Sequence, residues 1–281
     1  MDFPIHGSVA PGFEPVRAAF EASFRDDVEV GAGFCALVDG AVVADLWGGY
    51  RDAAGRQPWT RETLVNVYST TKGLAAAAIA TLVEEGVLDY QAPVRDYWPE
   101  LRAAADGLTV SELLSHQAGL CGLRDPVRVE DLYDWDGMCR RRERAEPLWP
   151  PGTAPGYHAV TWGFLAGELV RRVAGTSLGD LVFRRLARPL GAEVHLGLPD
   201  AEHGRVADLI GPNRARPVAG ARRATPETGA TDRRGVAPWH ALAMENPLIR
   251  PYADACSAAW RRAELAASNG HATARGIATV Y

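Results

Sequence analysis

The stretch from Val67 to Leu88, VYSTTKGLAAAAIATLVEEGVL, decides how the rest of the chain is read. From Ser69 onward it is an alanine-rich run that predicts a helix over roughly 70–85, closed by Gly86 at the C′ position. It also holds Lys72, the single lysine in a chain with 29 arginines. A guanidinium stays protonated at any pH a protein meets, whereas an ammonium gives up its proton when it is desolvated or crowded by positive charge. If Lys72 acts as a base, arginine could not replace it. A GC-rich genome would lower lysine throughout, which weakens the inference without explaining why this lysine remained.

Ser69 lies three places before Lys72, and residues three apart share a helix face. A serine hydroxyl is a poor nucleophile until a positioned base removes its proton, and a lysine of lowered pKa can do this. The positive potential of the helix N-terminus acts in the same direction, disfavouring the ammonium and stabilising negative charge at the serine. By itself the S-x-x-K spacing is weak, arising by chance at about one lysine in fifteen. A serine near a helix start followed by a solvated lysine reads the same four residues equally well.

Working outward, Val16, Phe20 and Phe24 at helical spacing predict an amphipathic helix over 13–25. Two β-rich runs flank Asp39-Gly40, a strong hairpin signal. Residues 106–115 suggest a short helix entering the turn SHQAGL. The segment EPLWPPGTAPGYHA, with four prolines and two glycines, must be a loop, and it delivers Tyr157 to a helix over about 160–174 that ends at Gly175. Leu178 to Arg188 predicts another helix. Residues 191–238 show weak patterning and read as a long surface excursion, followed by two or three helical segments from about Ala241.

Composition narrows the functional classes. With 281 residues and 47% hydrophobic side chains the chain can fill a core, and a net charge of −5 gives no field for a polyanion partner such as a nucleic acid. The runs Arg140-Arg141-Arg142 and Arg222-Arg223 read as solvated surface. Cys35, Cys121, Cys139 and Cys256 lack metal-ligand or redox spacing and read as reduced cytosolic thiols. No signal-like or membrane-spanning segment is apparent, so a cytoplasmic protein without membrane association is expected.

The hairpin FCALVDGAVVADLWGG, the helix start VYSTTKG, the turn LLSHQAGL, the loop PPGTAPGYHAVTWGFLAGELV and the late segment NGHATARGIATVY together resemble the superfamily of serine β-lactamases, penicillin-binding proteins and family VIII esterases. The resemblance is closest to the class C-like esterase branch and runs from about Phe13 to the C-terminus. It implies an α/β (α+β) fold of the β-lactamase/transpeptidase type, an antiparallel sheet flanked by helices plus a mainly helical subdomain. The implied organisation is a single domain, 1–281. It divides into an N-terminal helix and hairpin (1–68), the nucleophile helix and helical region (69–190), the excursion (191–240) and C-terminal helices (241–281).

Carried over residue by residue, the resemblance makes Ser69 the acylated nucleophile, Lys72 its proton acceptor and Tyr157 the partner in proton transfer, with no metal or cofactor. It places His116 in a structural turn rather than in a Ser-His-Asp triad. Trp47-Gly48-Gly49 closes the first hairpin and is not the family's third motif. Ala159 stands where true class C β-lactamases carry an asparagine that contacts the β-lactam side chain, and this departure fits the esterase branch. The implied reaction is hydrolysis of short-chain esters, with weak β-lactamase or D-peptidase activity as a further possibility; the substrate is a small ester or amide. No third motif follows Tyr157, so a C-terminally truncated chain is expected, lacking the last sheet strands and one oxyanion-hole donor. Loss of one such donor costs about 10²–10³ in turnover. The alternative is a catalytically silent remnant that binds ligands or partners.

Overall fold

A computed structural model of the chain describes residues 3–26, 29–104, 107–211 and 239–281. The chain opens with strand β1 (Ile5–Val9), helix α1 (Glu14–Arg25) and the hairpin of β2 (Gly31–Val38) and β3 (Ala41–Gly49). Asp39 and Gly40 both have positive φ, 48° and 75°, the conformation that lets a two-residue turn follow the twist of the paired strands. The antiparallel order is β1-β3-β2. The β3 edge of the hairpin is covered by β1, a strand that the sequence reading missed. Among the described residues no strand pairs with the outer edge of β2. Phe24 of α1 is buried, as the helical spacing required.

After β4 (Val65–Asn66) comes α2 (Thr70–Glu84), whose Leu74, Ala75, Ala78, Ile79 and Leu82 are buried in the main core. The small alanines let neighbouring elements approach closely, and a helix apolar on most sides belongs inside. Gly86 has φ +71° where the C′ position was expected. Helix α3 (Val110–Leu114) begins at a capping box, Thr109 with Glu112, and α4 (Trp135–Arg144) follows. Helix α5 (Thr161–Ala174) ends at Gly175 in the left-handed region. The helix expected over 178–188 is α6 (Leu178–Val182), a π-helical turn (Phe183–Ala187) and α7 (Arg188–Leu190).

The region after Gly191 corrects the expectation of a loose excursion in its first part. Strand β5 (Val194–His195) belongs to a second sheet, and Leu198 and Val206 are buried against Leu64. Residues 212–238 lie outside the described residues. Then come α8 (Trp239–Met244), α9 (Ala258–Arg262), β6 (His271–Ala272) and α10 (Ala274–Val280). The second sheet is antiparallel with order β4-β6-β5. Helix α10 reaches the first sheet, where Arg275 and Arg61 both bond the Asp45 carboxylate of β3, at 3.2 and 2.6 Å.

One surface expectation was wrong. Helical periodicity turns Met138, Cys139 and Arg142 of α4 inward together, so Arg142 is 1% exposed and not solvated. The four cysteines are free thiols. No helix among the described residues is long and apolar enough to cross a membrane.

Candidate active site

Ser69 sits at the N-cap of α2, where a serine hydroxyl ordinarily accepts a bond from the first turn. Here it makes no such cap, and the lysine that follows is buried rather than solvated. Its Oγ lies 2.6 Å from the Tyr157 hydroxyl, which donates to it, and 3.3 Å from Lys72 Nζ. Tyr68, just before it, has φ +44°, a sharp turn from β4 into the helix that leaves Ser69 exposed. The Tyr68 hydroxyl donates to the Pro251 carbonyl at 2.9 Å, fixing that turn from outside.

Lys72 is 9% exposed and has four oxygen neighbours. Besides Ser69 Oγ, these are the Tyr157 hydroxyl at 3.1 Å and the carbonyls of Ala159 and Ala267, each at 2.9 Å. Burial lowers its pKa from 10.5 to about 7. A neutral amine has two N–H donors and one lone pair. The two carbonyls can only accept, so they take the two donors and leave the lone pair facing the Ser69 hydroxyl, whose oxygen in turn accepts from Tyr157. That is the arrangement of a base poised to receive a proton.

Ser69, Lys72 and Tyr157 are therefore brought together. His116 is not in line with them: no histidine bonds Ser69, and no carboxylate pairs with His116 or His158 among the described residues. Instead the two histidines bind each other's segments. The His158 backbone N–H donates to His116 Nδ1 at 3.1 Å and the Gly156 N–H to the His116 carbonyl at 2.9 Å. The His158 ring, fully buried, donates from Nδ1 to the Gly156 carbonyl at 2.6 Å and accepts from the Leu120 N–H at Nε2, 3.0 Å. These four bonds pin the loop on both sides of Tyr157. Burial holds His158 neutral, near pKa 3, and His116 near 4, the latter helped by the Lys72 charge.

The Ala267 carbonyl is held by a second set of bonds. Asn66 of β4 donates to the Ser268 carbonyl at 2.9 Å and accepts from the Trp260 indole at 2.7 Å. Buried Asn269 donates to the carbonyls of Trp260 and Ala263 and accepts from the Leu265 N–H at 2.9 Å. The Gly270 N–H donates to Thr71 Oγ1 at 2.8 Å, tying the segment to the first turn of α2. The sequence reading singled out the stretch containing Asn269 and Gly270 but gave it no role, since its contribution to the site is a backbone oxygen two residues upstream.

Gly163 of α5 lies against this segment: a Cβ there would be 2.6 Å from Ala267 N and 3.0 Å from Ala266 N. Gly163→Ala is therefore expected to push the Ala267 carbonyl away from Lys72. It should cost about 1–3 kcal/mol of stability by overpacking, and lower the apparent pKa of Lys72 measured in the pH–rate profile, because a carbonyl acceptor favours the ammonium. Unchanged stability and pH profile would show that the segment shifts freely. No group of three or more His, Cys, Asp or Glu side chains suited to a metal ion is found among the described residues.

Comparison with known proteins places this geometry among relatives. Residues 17–281 match the beta-lactamase family. The esterase/beta-lactamase LipL of Mycobacterium tuberculosis is 35% identical over 286 residues, covering 99% of this chain and 63% of LipL. Esterase EstB of Burkholderia gladioli is 30% identical over 209 residues, covering 68% of this chain and 52% of its own. The crystal structure of a family VIII carboxylesterase superposes with a TM-score of 0.86 at 43% identity, over 99% of this chain and 70% of that structure. The chain thus spans less than two thirds of the length of the two esterase relatives.

Proposed function

We propose, from the premise that the chain belongs to the beta-lactamase family, that it is a serine hydrolase working through an acyl-enzyme on Ser69, with small carboxylic esters as substrates. The observation that carries this reading is the buried Lys72 amine, lowered to a pKa of about 7, within 3.3 Å of an exposed serine hydroxyl and 3.1 Å of Tyr157.

In this mechanism Ser69 Oγ attacks the ester carbonyl as its proton passes to Lys72, directly or through the Tyr157 hydroxyl. The tetrahedral oxyanion is met by the Ser69 backbone N–H at the start of α2, one of the donors an oxyanion hole needs. As the carbonyl re-forms, the C–O bond to the alcohol breaks and the leaving alkoxide takes the proton from the Lys72–Tyr157 pair. Water then attacks the acyl carbon, its proton going to the same pair, and Ser69 Oγ is released with its proton restored.

Two observations support esters over β-lactams. EstB and the family VIII carboxylesterase, which align with most of this chain, are named as esterases alone, and LipL as esterase/beta-lactamase. Ala159 offers only its backbone carbonyl, spent on Lys72, where a side-chain amide would be needed to hold a β-lactam substituent. No specific observation favours the silent-remnant alternative. The test is p-nitrophenyl butyrate turnover by the 281-residue chain, with intact-mass analysis after a fluorophosphonate probe. One adduct on the wild type and none on Ser69→Ala is expected. An adduct that survives Ser69→Ala would move the nucleophile elsewhere.

A further inference from the structure

A cavity of about 600 Å³ lies between α4 and the turn at residues 122–125. Arg102, Arg124, Arg140, Arg141 and Arg144 line it, and none of these belongs to the Ser69 site. Arg102 is occupied by Glu146 at 3.2 Å, and Arg141 has Asp131 at 3.8 Å and the Pro126 carbonyl at 3.3 Å. Arg124, Arg140 and Arg144 have no acidic partner among the described residues.

A second observation concerns the buried side of the same helix. Arg142 is 1% exposed, and its only hydrogen bond runs from Nη1 to the carbonyl of Gly122, itself a cavity-lining residue, at 3.2 Å. Its Nε has no partner. Burial lowers the guanidinium to about 9, so it is still charged at neutral pH. The ionisable groups beside it that could carry a compensating negative charge are the thiols of Cys121 and Cys139. Burial pushes both up, Cys121 to about 11, so neither is a thiolate. Charges inside proteins are ordinarily paired, and an uncompensated buried cation beside the three unpaired guanidiniums of Arg124, Arg140 and Arg144, set against the single further wall carboxylate of Asp125, leaves a local excess of positive charge.

From this geometry we infer that the cavity beside α4 binds a small phosphorylated molecule carrying more than one negative charge. Forked guanidinium donors suit oxyanions, and more than one of them is unoccupied here. The volume falls in the range of small-ligand sites. The inference does not depend on the hydrolase chemistry at Ser69.

The test is calorimetric titration of the 281-residue chain with inorganic pyrophosphate at low salt, with citrate as a second arm. The comparison is between Arg140→Ala/Arg144→Ala and a double variant of equal charge elsewhere, Arg95→Ala/Arg188→Ala, both at exposed positions. Saturable binding of one pyrophosphate per chain is expected, weakened about tenfold or more by the α4 pair and little changed by the distant pair. Should the α4 pair not fold, Arg124→Ala on the opposite wall is expected to show the same direction of loss. Equal losses in both double variants would mean a diffuse cationic field and overturn the site. No saturable binding would overturn it as well, and tighter binding of citrate would overturn the phosphoryl assignment.

Discussion

Lys72→Arg is expected to lower kcat/KM for p-nitrophenyl butyrate by about 10²–10⁴-fold, the usual contribution of a general base. The substitution keeps a long cationic side chain, and arginine could still donate to the carbonyls of Ala159 and Ala267. What it removes is the lone pair, because a guanidinium does not deprotonate in a protein. The pH–rate profile separates this cause from a packing defect. Lys72 must be neutral to accept the Ser69 proton, so the wild-type rate should rise with pH through about 7 and fall about tenfold per unit below it. His116 and His158, held near 4 and 3, are already neutral across that range and should not contribute a second limb. The residual activity of Lys72→Arg should lose the limb at 7. A variant that retained it would assign the titration to another group.

Stability should carry the complementary signature. Lys72 has a folded pKa near 7 and an ordinary value of 10.5, so between those limits the unfolded chain binds more protons than the folded one. Stability therefore gains from this residue as pH rises from about 7 toward 10.5, and the cost of the buried ammonium is fully present below 7. Lys72→Met, which cannot titrate, is expected to flatten that slope in denaturation measured across the same window.

Asn269→Leu is expected to be the most damaging single change to the fold that touches no reacting group. Asn269 is fully buried, and its amide satisfies the Leu265 N–H and the carbonyls of Trp260 and Ala263. Leucine has a similar volume and none of these partners, so three backbone groups would be left unpaired in the interior. At the usual penalty per orphaned group the loss is about 3–5 kcal/mol, and Tm should fall on the order of 10 °C. Activity should fall further than stability alone accounts for, since this loop carries the Ala267 carbonyl to Lys72. A folded Asn269→Leu protein with wild-type kcat would show that the carbonyl at Ala267 is positioned by other means.

The elements legible in sequence were those defined by local rules. Helix α1 followed from apolar spacing, the β2–β3 hairpin from Asp39-Gly40, α2 from its alanine run and Gly86, and α5 from the proline-rich loop before it and Gly175 after it. Strand β1 and helix α4 were missed although each is long enough to carry a local pattern, whereas three other missed elements have none. Strands β4, β5 and β6 are two residues each, too short for alternation to register, and exist only as partners of one another. The inward turn of Arg142 was hidden by its place in a run of arginines, although the helix period that buries it is a local property.

The sequence by itself determined that Ser69 and Lys72 share one turn of one helix, because three residues of α-helix fix that proximity wherever the helix is placed. Only the tertiary structure decided that the Lys72 amine is desolvated and its pKa lowered. Its pKa is a property of what surrounds the amine: Tyr157, Ala159 and Ala267 come from 85, 87 and 195 residues away, and two of them contribute backbone oxygens that no residue type announces. Desolvation by that enclosure separates a lysine that can give up its proton near neutral pH from a solvated one with the same neighbours in sequence.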